Sequence, residues 1–393
     1  MQRRHFIRLA GGGAVAAAGA TALAGWSLRD GGFPAEAVAA WQGPQGETEP
    51  RRRALAYAIT APNPHNRQPW LVDLREPDAI TLYCDSTRLL PETDPFGRQI
   101  LIGHGAFLEL LVMGLAAQGL DAQVTLWPQG ELPRTLSGWD RRPVARLALS
   151  RGAQADPLFA QVLRRHTPKV DFDTARTVAP ATLQSLLAGA SRPGIHVDGT
   201  VQAARLPALR ELCIESAKVE LRTPRTVLES MRLTRVGPAQ ILAHRDGISV
   251  NGAVPRIADA VGMFDRETPP AEGGTVWKQA IQRFAGHGAS AMGFVWMASD
   301  GNSRSTQIET GRAYVRLQLR STELGVAMHP MSQALQEFAE MSSHYELAHR
   351  LLIGKAAPVA PQDTTLQMLL RIGYVPGALR PSPRRPLSQL LVA

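Results

Sequence analysis

The chain has 393 residues, of which 44% are hydrophobic and 20% are charged. This length suffices for two ordinary domains or one large one, and the composition excludes a disordered chain. The formal net charge is +9, but the basic residues are scattered and no aromatic-interleaved basic motif appears, so we expect no nucleic-acid partner.

Residues 1–25 are predicted to be a twin-arginine export signal. The stretch "QRRHFIRLAGGGAVAAAGATALAG" begins with Arg3-Arg4, continues Ala/Gly-rich, and ends in a small-x-small pattern at Ala22 to Ala24. An ordinary amphipathic N-terminal helix is the alternative. A signal of this kind implies the twin-arginine translocase as a partner and an exported, periplasmic location in a bacterium. Because that route carries folded proteins, often with a cofactor installed, it also favours a cofactor.

Secondary structure can be predicted over the next 125 residues. Residues 26–50 are rich in Gly, Pro and Gln and indicate a linker. A helix follows in "RRRALAYAIT", and strands are predicted in "AITLYCD", "AQVTLWP" and "RPVARLALS". The stretch 105–119, "GAFLELLVMGLAAQG", is apolar on nearly every face and predicts a helix buried within the protein. Beyond the N-terminus, no segment is expected to be long enough to span a membrane.

A loop with unusual composition, "APNPHNRQPW", covers residues 61–70. Pro64 and Pro69 restrict the backbone, so we expect a pre-shaped, extended turn. Asn66 and Gln68 each carry both a donor and an acceptor. The loop is therefore a candidate cradle for a planar ligand rich in hydrogen-bonding groups.

A candidate phosphate clamp lies in "LRRHTPKVDFD", residues 163–173. Arg165, Thr167 and Lys169 alternate, so in an extended segment they point the same way. Two cations beside a hydroxyl suit a phosphate; a solvated basic turn is the alternative. The C-terminal "RIGYVPGALRPSPRRPLSQLL" places Arg384-Arg385 between prolines, which alone indicates only a basic tail.

The chain contains a weak internal repeat. Residues 311–325, "GRAYVRLQLRSTELG", match 105–119 in length and in the glycine at both ends. Residues 181–193 also resemble residues 54–64, although the two stretches differ in length. The alternation in "YVRLQLR" is typical of a strand, but the repeat predicts a helix there. Two such modules, at 51–155 and 156–393, suggest a fused pseudo-dimer.

The two cysteines and a kinase-like stretch do not indicate functional sites. Cys84 and Cys213 lack metal-site spacing and lie in apolar runs, so they are predicted to be buried thiols, although one disulfide could form. The stretch 244–251, "HRDGISVN", has the spacing of a kinase catalytic loop without the Gly-rich loop that should accompany it. We therefore expect neither a metal site nor kinase chemistry.

Together, the loop, the clamp and the tail resemble the nitroreductase-like flavoprotein family. Subunits of that family open with an Arg-Arg/His-Ser/Thr segment, carry an A-P-S-x-x-N-x-Q-P-W loop, and end in a Gly-Tyr-Pro stretch and a basic Pro tail. The order of these stretches here resembles the Acg-like branch of fused pseudo-dimers. This implies an α+β fold with two modules, each a mostly antiparallel sheet flanked by helices in an α-β-α sandwich, and a lid-like insertion at about 224–290.

The resemblance further implies a single FMN site shared by the two halves. Loop residues would approach the isoalloxazine and ribityl chain, the clamp and tail would hold the phosphate, and backbone N–H groups in "HPMSQ" would face flavin N5. A donor at N5 stabilises reduced flavin, so no catalytic acid–base side chain is required. The implied FMN-binding residues are Pro62, Asn63, Asn66, Gln68, Arg165, Thr167, Lys169, Met331, Ser332, Arg384 and Arg385. One departure is Asn63, which stands where the family has a serine.

Three functions follow as expectations. The first is an FMN-dependent oxidoreductase that transfers hydride or electrons through N5, under a lid, to a small-molecule acceptor or redox partner. The second is an FMN-binding protein that sequesters the flavin without NAD(P)H turnover, since NAD(P)H is a cytoplasmic pool. The third, a polyanion binder, predicts salt-sensitive binding and no chromophore. An internal pseudo-dimer also predicts a monomer.

Overall fold

The computed structural model describes residues 32–190 and 192–392, so the predicted export signal lies outside the described residues. The α-helices are α1 (Pro50–Ala58), α2 (Arg98–Ala116), α3 (Pro180–Leu187), α4 (Leu206–Arg222), α5 (Pro224–Arg232), α6 (Gly237–His244), α7 (Ala253–Ala260), α8 (Thr275–Ala289), α9 (Arg304–Glu323) and α10 (Ser342–Ile353). The strands are β1 (Trp70–Asp73), β2 (Ala79–Cys84), β3 (Leu120–Leu126), β4 (Ala145–Arg151), β5 (Ile195–Thr200), β6 (Thr234–Val236), β7 (Ile248–Val250), β8 (Gly293–Ser299), β9 (Ala327–Pro330) and β10 (Thr365–Gly373).

The first sheet is antiparallel, with strand order β1-β2-β4-β3, and it contains all three strands predicted in this part of the chain. Helix α2 packs on one face and buries Val72, Ile80 and Leu82. Along β3 the residues alternate in exposure, and those at 121, 123 and 125 face solvent. This face of the sheet is therefore exposed to solvent along its edge strand β3.

The second sheet is also antiparallel, with strand order β5-β8-β10-β9. All residues of β8 and β10 are buried. Phe294 and Trp296 pack on one face with α4 and α10, whereas Val295 and Met297 pack on the other face with α9. The continuous apolar run of β8 reflects burial on both faces, so the predicted sandwich describes this half of the molecule.

Helices α2 and α9 cross at two glycines. A Cβ on Gly105 would lie 2.0 Å from the Ile308 carbonyl oxygen, and one on Gly311 would lie 1.9 Å from the Ile102 carbonyl oxygen. The two backbones therefore touch where any side chain would keep them apart. Both predicted helices are confirmed, including the one whose sequence alternates like a strand.

The length and composition of α2 would also suit a membrane-spanning helix, contrary to the prediction for this part of the chain. Its mean hydropathy over 18 residues is 1.6, yet 83% of those residues are buried within the protein. The helix lies between the first sheet and α9, which explains why nearly all of its faces are apolar.

Both cysteines are free and buried, as predicted. Burial raises the pKa of Cys213 to about 12 and also strongly raises the pKa of Cys84. Since only the thiolate reacts, we expect neither cysteine to react with DTNB in the folded protein at pH 8. Both should react once guanidinium unfolds it. A thiol that reacts within seconds in native buffer would contradict this burial.

The N-terminal and C-terminal segments of the described chain pack together. Residues 35–42 form a 3-10 helix in which Ala37 is buried, and its carbonyl accepts the Arg384 N–H at 2.8 Å. The prediction of a linker is therefore wrong for these residues. The tail then reaches the first sheet, where the Val72 N–H donates to the Leu390 carbonyl and Val72 accepts from Val392, both at 2.8 Å.

Candidate functional site

Three distant segments of the chain converge on the carbonyl oxygen of Thr60. It accepts a hydrogen bond from Arg165 Nη2 at 2.6 Å and another from Arg384 Nη2 at 2.8 Å. Thr60 immediately precedes the Pro-rich loop, Arg165 lies in the predicted clamp, and Arg384 lies in the tail. The structure thus brings together the three stretches that the sequence had singled out, with two guanidinium groups side by side.

The charge of these two arginines is not neutralised by any ion pair with a carboxylate among residues 32–190 and 192–392. Arg165 is 1% exposed and Arg384 is 4% exposed, and the Nε atom of each has no hydrogen-bond partner in the described protein. Burial lowers the pKa of Arg165 to about 10, and burial together with Arg165 lowers that of Arg384 well below its usual value. A buried pair of like charges is costly unless an anion joins it.

An aromatic side chain, Trp41, packs against both arginines. The ring of Trp41 lies 5.4 Å from the Arg165 guanidinium and 5.0 Å from that of Arg384, and it stands 5.0 Å from the ring of His166. Trp41 Nε1 donates to the Ser382 carbonyl at 2.8 Å. Sequence reasoning missed Trp41 because it placed this residue in a linker; the apolar run "AVAAW" around it was the available signal.

The other two clamp residues extend the site outward from Arg165. The Thr167 hydroxyl lies 3.5 Å from Arg165 Nη1 and accepts from Gln318 of α9 at 3.3 Å. Lys169 keeps solvent-exposed surface although many protein atoms lie around it. That crowding, with Arg283 and Arg384 nearby, lowers the pKa of Lys169 to about 8.

Beyond Lys169 lies a second group of basic side chains that the sequence did not predict. Arg371 of β10 donates from Nε to His329 Nδ1 at 3.0 Å and from Nη2 to the Val170 carbonyl at 2.6 Å. The ring of His287 stands edge-on to His329 at 5.4 Å. Burial and then Arg371 lower the pKa of His287 to about 3, so both imidazoles are neutral and the cations are Arg371 and Lys169.

The amide side chains of Asn63 and Gln68 hold the loop together by hydrogen bonds within the protein, and their predicted contact with a ligand stays a prediction. Asn63 accepts the Gln68 N–H at 2.7 Å and donates to the Ala61 carbonyl at 3.1 Å. Gln68 is fully buried, donating to the Arg245 carbonyl and accepting the Arg385 N–H, both at 2.8 Å. Both amides are therefore already hydrogen-bonded within the protein.

Asn66 and the two tail arginines, Arg384 and Arg385, make different contacts around the loop. Asn66 accepts from Arg384 Nη1 at 2.8 Å and donates to the Pro383 carbonyl at 3.0 Å, so it positions Arg384 in the site. Arg385 instead donates to the carbonyls of Gln68 and Gln389, at 3.2 and 3.1 Å. Of the two tail arginines predicted to bind FMN, Arg384 is thus the one that joins Arg165. Pro62 is buried within the loop.

The predicted N5 segment is only partly available to a ligand. The Met331 N–H donates to the Leu369 carbonyl at 2.8 Å, and the Met331 side chain lies in the hydrophobic core. The Met331 N–H is therefore already hydrogen-bonded within the protein, and its predicted role as an N5 donor stays a prediction. The Ser332 hydroxyl bridges the N–H and carbonyl of Leu369, at 3.1 Å each. Ser332 remains a candidate donor through its backbone N–H.

The insertion at 224–290 lies against the loop. The Gly247 N–H donates to the Asn66 carbonyl at 3.3 Å, and Ser230 Oγ stands 3.3 Å from His65 Nε2. Asp246, in the kinase-like stretch, is buried and accepts from Arg88 at 2.8 Å and from Arg235 at 3.0 Å. That stretch therefore anchors the insertion, which agrees with setting aside a kinase role.

A separate cavity of about 410 Å³ lies near the start of α9, lined by residues that include Phe96, Arg304 and Tyr345. It shares no lining residue with the basic site around Arg165. The cavity and the basic site are therefore distinct.

The sequence is similar to two proteins of Mycobacterium tuberculosis whose names give them as candidate NAD(P)H nitroreductases. Rv3131 is 25% identical over 361 residues, which cover 88% of this chain and 92% of that protein. The protein named acg is 25% identical over 348 residues, which cover 87% of this chain and 95% of that protein. No protein-family model matches the chain.

Solved nitroreductases also match in structure, but weakly. The FMN and NADPH-dependent nitroreductase NfnB of Sphigopyxis sp. strain HMH aligns with a TM-score of 0.37 at 16% identity, covering 61% of this chain and 99% of that one. The FMN-dependent NfnB of Mycobacterium smegmatis, solved with NADPH, gives 0.35 at 20% identity, covering 57% and 92%. Scores this low carry no argument about this chain. The sequence similarity to Rv3131 and acg, by contrast, extends over 88% and 87% of this chain.

Proposed function

We propose that this protein is an FMN-dependent oxidoreductase of the nitroreductase type. The observation that carries the proposal is the buried pair Arg165 and Arg384, held together on the Thr60 carbonyl without an ion pair to any described carboxylate. A phosphate dianion would neutralise this pair, and charge-assisted bonds to guanidinium groups are the strong ones. Sequence likeness to proteins named as NAD(P)H nitroreductases supports the same conclusion.

The residues present fit FMN. The unpartnered Nε atoms of Arg165 and Arg384 are free donors beside the Thr167 hydroxyl, so this corner offers the groups that a phosphate needs. Lys169 adds a cation at the open side, and an anion there would raise its pKa from about 8. When bound, FMN would supply the hydride chemistry, while the chain binds, orients and shields it.

A single flavin per chain is supported by the residues of the second module that correspond to the Pro-rich loop of the first. Arg192 aligns with Asn63 in the internal repeat, but it pairs with Glu109 at 2.6 Å and with Glu309 at 2.7 Å. Glu109 also accepts from Arg312 at 2.8 Å. The arginines of this region are already paired with carboxylates, so they are not available to bind a phosphate as Arg165 and Arg384 are. The fused pseudo-dimer would thus keep one site and act as a monomer.

Three features of the proposal rest on sequence. The twin-arginine pattern supports recognition by the translocase and a periplasmic location, and the electron acceptor would be a small molecule or a redox partner. The insertion is proposed to act as a lid that excludes water. A second candidate function, FMN storage without turnover, is favoured by how firmly the insertion is bonded to the loop through Asn66 and Gln68.

The proposal is tested by the visible spectrum of the purified full-length protein, followed by heat release and quantification of flavin. We expect about one FMN per chain after reconstitution. No flavin, or two per chain, would contradict the single composite site. Anaerobic mixing of the FMN-loaded protein with NADPH then separates the two functions, because rapid bleaching supports the oxidoreductase and a stable oxidised spectrum supports storage.

A further inference from the structure

The short helix of residues 35–42 is attached to the C-terminal tail beside Arg384. The Ala37 carbonyl accepts the Arg384 N–H, and Trp41 Nε1 donates to the Ser382 carbonyl, both at 2.8 Å. Ser382 Oγ in turn accepts from Arg384 Nη1 at 2.6 Å. We call residues 35–42 the N-terminal strap. Both of its hydrogen bonds to the tail therefore end on Arg384 or on the serine that holds the Arg384 side chain.

The N-terminal strap has few buried anchors of its own. Within residues 32–49, only Ala37 and Gly43 are buried, and the other side chains are half-buried or exposed. The Glu36 carboxylate pairs with Arg245 of the insertion at 3.0 Å, but the Glu36 side chain is 75% exposed, and an exposed ion pair contributes little. A segment with few buried contacts opens more readily than the core. Docking of the strap must therefore depend strongly on its contacts at the candidate site.

The ring of Trp41 is the contact that the strap makes with both arginines of the site. The guanidinium carbons of Arg165 and Arg384 lie over the ring, 5.4 and 5.0 Å from its centroid. Because an aromatic face attracts cations, the ring lowers the cost of holding two like charges side by side. Unlike a carboxylate, it does so without using N–H donors. The Nε atoms of both arginines have no partner in the described part of the chain, so these donors are left for an anion.

We propose that Trp41 is a positioning residue for the FMN phosphate, and that FMN binding and docking of the N-terminal strap stabilise each other. This inference rests on the proposed function and deepens it, since Trp41 was not among the residues predicted to bind FMN. The ring acts through Arg165 and Arg384, which it helps to hold side by side before FMN binds. Less of the binding free energy is then spent on ordering them. A phosphate bound to Arg384 would in turn fix the residue to which the strap is attached.

The coupling must have the same size in both directions. If the docked strap raises the affinity for FMN by a given factor, bound FMN favours the docked strap by that same factor. We expect a factor of about 10, which corresponds to about 1.4 kcal/mol and lies within the range of cation–π contacts. Both directions can be measured separately.

The first test is fluorescence titration of the full-length protein with FMN. Trp41→Leu should bind about 10-fold more weakly than wild type. Trp41→Phe should stay within about threefold, because it keeps a ring and loses only the hydrogen bond to Ser382. The matched control is Phe33→Leu, which removes a ring that stacks on the exposed Arg380 at 4.9 Å, and it should bind as wild type does. Wild-type affinity in Trp41→Leu, or no recovery in Trp41→Phe, would overturn the positioning role.

The second test follows hydrogen exchange of the backbone N–H groups of residues 37–43 by mass spectrometry. Within the strap, the Ala37 N–H donates to the Pro34 carbonyl at 3.0 Å, and the Gly43 N–H donates to the Ala40 carbonyl at 3.3 Å. Both bonds should be lost when the strap opens. Saturating FMN should slow this exchange about tenfold in wild type. In the FMN-free protein, Trp41→Leu should exchange faster than wild type, and Trp41→Phe should stay close to it.

The exchange experiment distinguishes failure of this coupling from failure of the proposed function. Full FMN occupancy with unchanged exchange in the strap would overturn the coupling while the proposed function stands. If the wild-type protein binds no FMN, the proposed function fails, and with it the role of Trp41 toward the phosphate. Unchanged exchange in FMN-free Trp41→Leu would overturn the coupling in either case, because the ring would then not hold the strap on the tail.

Discussion

Replacement of Arg384 by methionine is expected to weaken FMN binding by about 10- to 150-fold. A hydrogen bond to a charged group contributes about 1.5–3 kcal/mol, and each 1.4 kcal/mol is a factor of about ten. In the protein without FMN, the change also removes a like charge beside Arg165. The melting temperature of the FMN-free protein should therefore change little, while the increase that FMN produces should shrink. Fluorescence titration with FMN measures the affinity.

The matched control is Arg380→Met, in the same tail. Arg380 is exposed and stacks over Phe33, with its guanidinium 4.9 Å from the ring. This variant loses the same charge and should bind FMN as the wild type does. If Arg384→Met also keeps wild-type affinity, the phosphate does not lie between Arg165 and Arg384. Equal losses in the two variants would point to general electrostatic attraction rather than to a site.

Alanine at Gly311 is expected to cost about 3 kcal/mol of unfolding free energy, the upper end of the usual cost of overpacking. A Cβ there would lie 1.9 Å from the Ile102 carbonyl oxygen and 2.9 Å from the Ala106 nitrogen. Both are backbone atoms, so no rotamer change can relieve the overlap and the helices must separate along their contact. Alanine normally favours a helix by about 1 kcal/mol over glycine, so a net loss isolates the packing effect. Urea unfolding of the FMN-free protein gives the value.

Gly105→Ala should behave in the same way, since its Cβ would meet the Ile308 carbonyl oxygen at 2.0 Å. Gly377→Ala is the control, because no atom lies within 4 Å of its Cβ position. Should Gly311→Ala unfold at the same urea concentration as Gly377→Ala, the two central helices would not be in backbone contact.

The local sequence pattern predicted the helices and strands well, but it carried no information about contacts between residues that are distant in sequence. The helix at 311–325 reads like a strand because polar residues such as Gln318 alternate with apolar ones. Gln318 is nevertheless buried, since it accepts a hydrogen bond from Arg165 at 2.8 Å. Only the repeat of Gly105 at Gly311 revealed the helix. Residues 35–42 were missed because Trp41 is held by Ser382, a partner more than 300 residues away.

The candidate site was predictable in its segments and less so in its atoms. The sequence identified the loop, the clamp and the tail, and the structure joins them at Thr60. The sequence could not show which of the two adjacent arginines faces Arg165. That choice depends on hydrogen bonds that Arg385 donates to the carbonyls of Gln68 and Gln389. An amide side chain can donate to or accept from any polar group nearby. The composition of the loop could therefore not distinguish a hydrogen bond to a ligand from one within the protein.

The apolar helix α2 has a consequence for how the protein is made. Its cover, α9, begins about 190 residues after α2 ends. At 5–20 residues per second, a ribosome needs roughly 10–40 s to supply it. For that time a helix with the hydropathy of a membrane span lacks the partner that buries it. The first half of the nascent chain therefore exposes an apolar surface that chaperones and membranes can bind. Complete folding must wait until the second half has been synthesised.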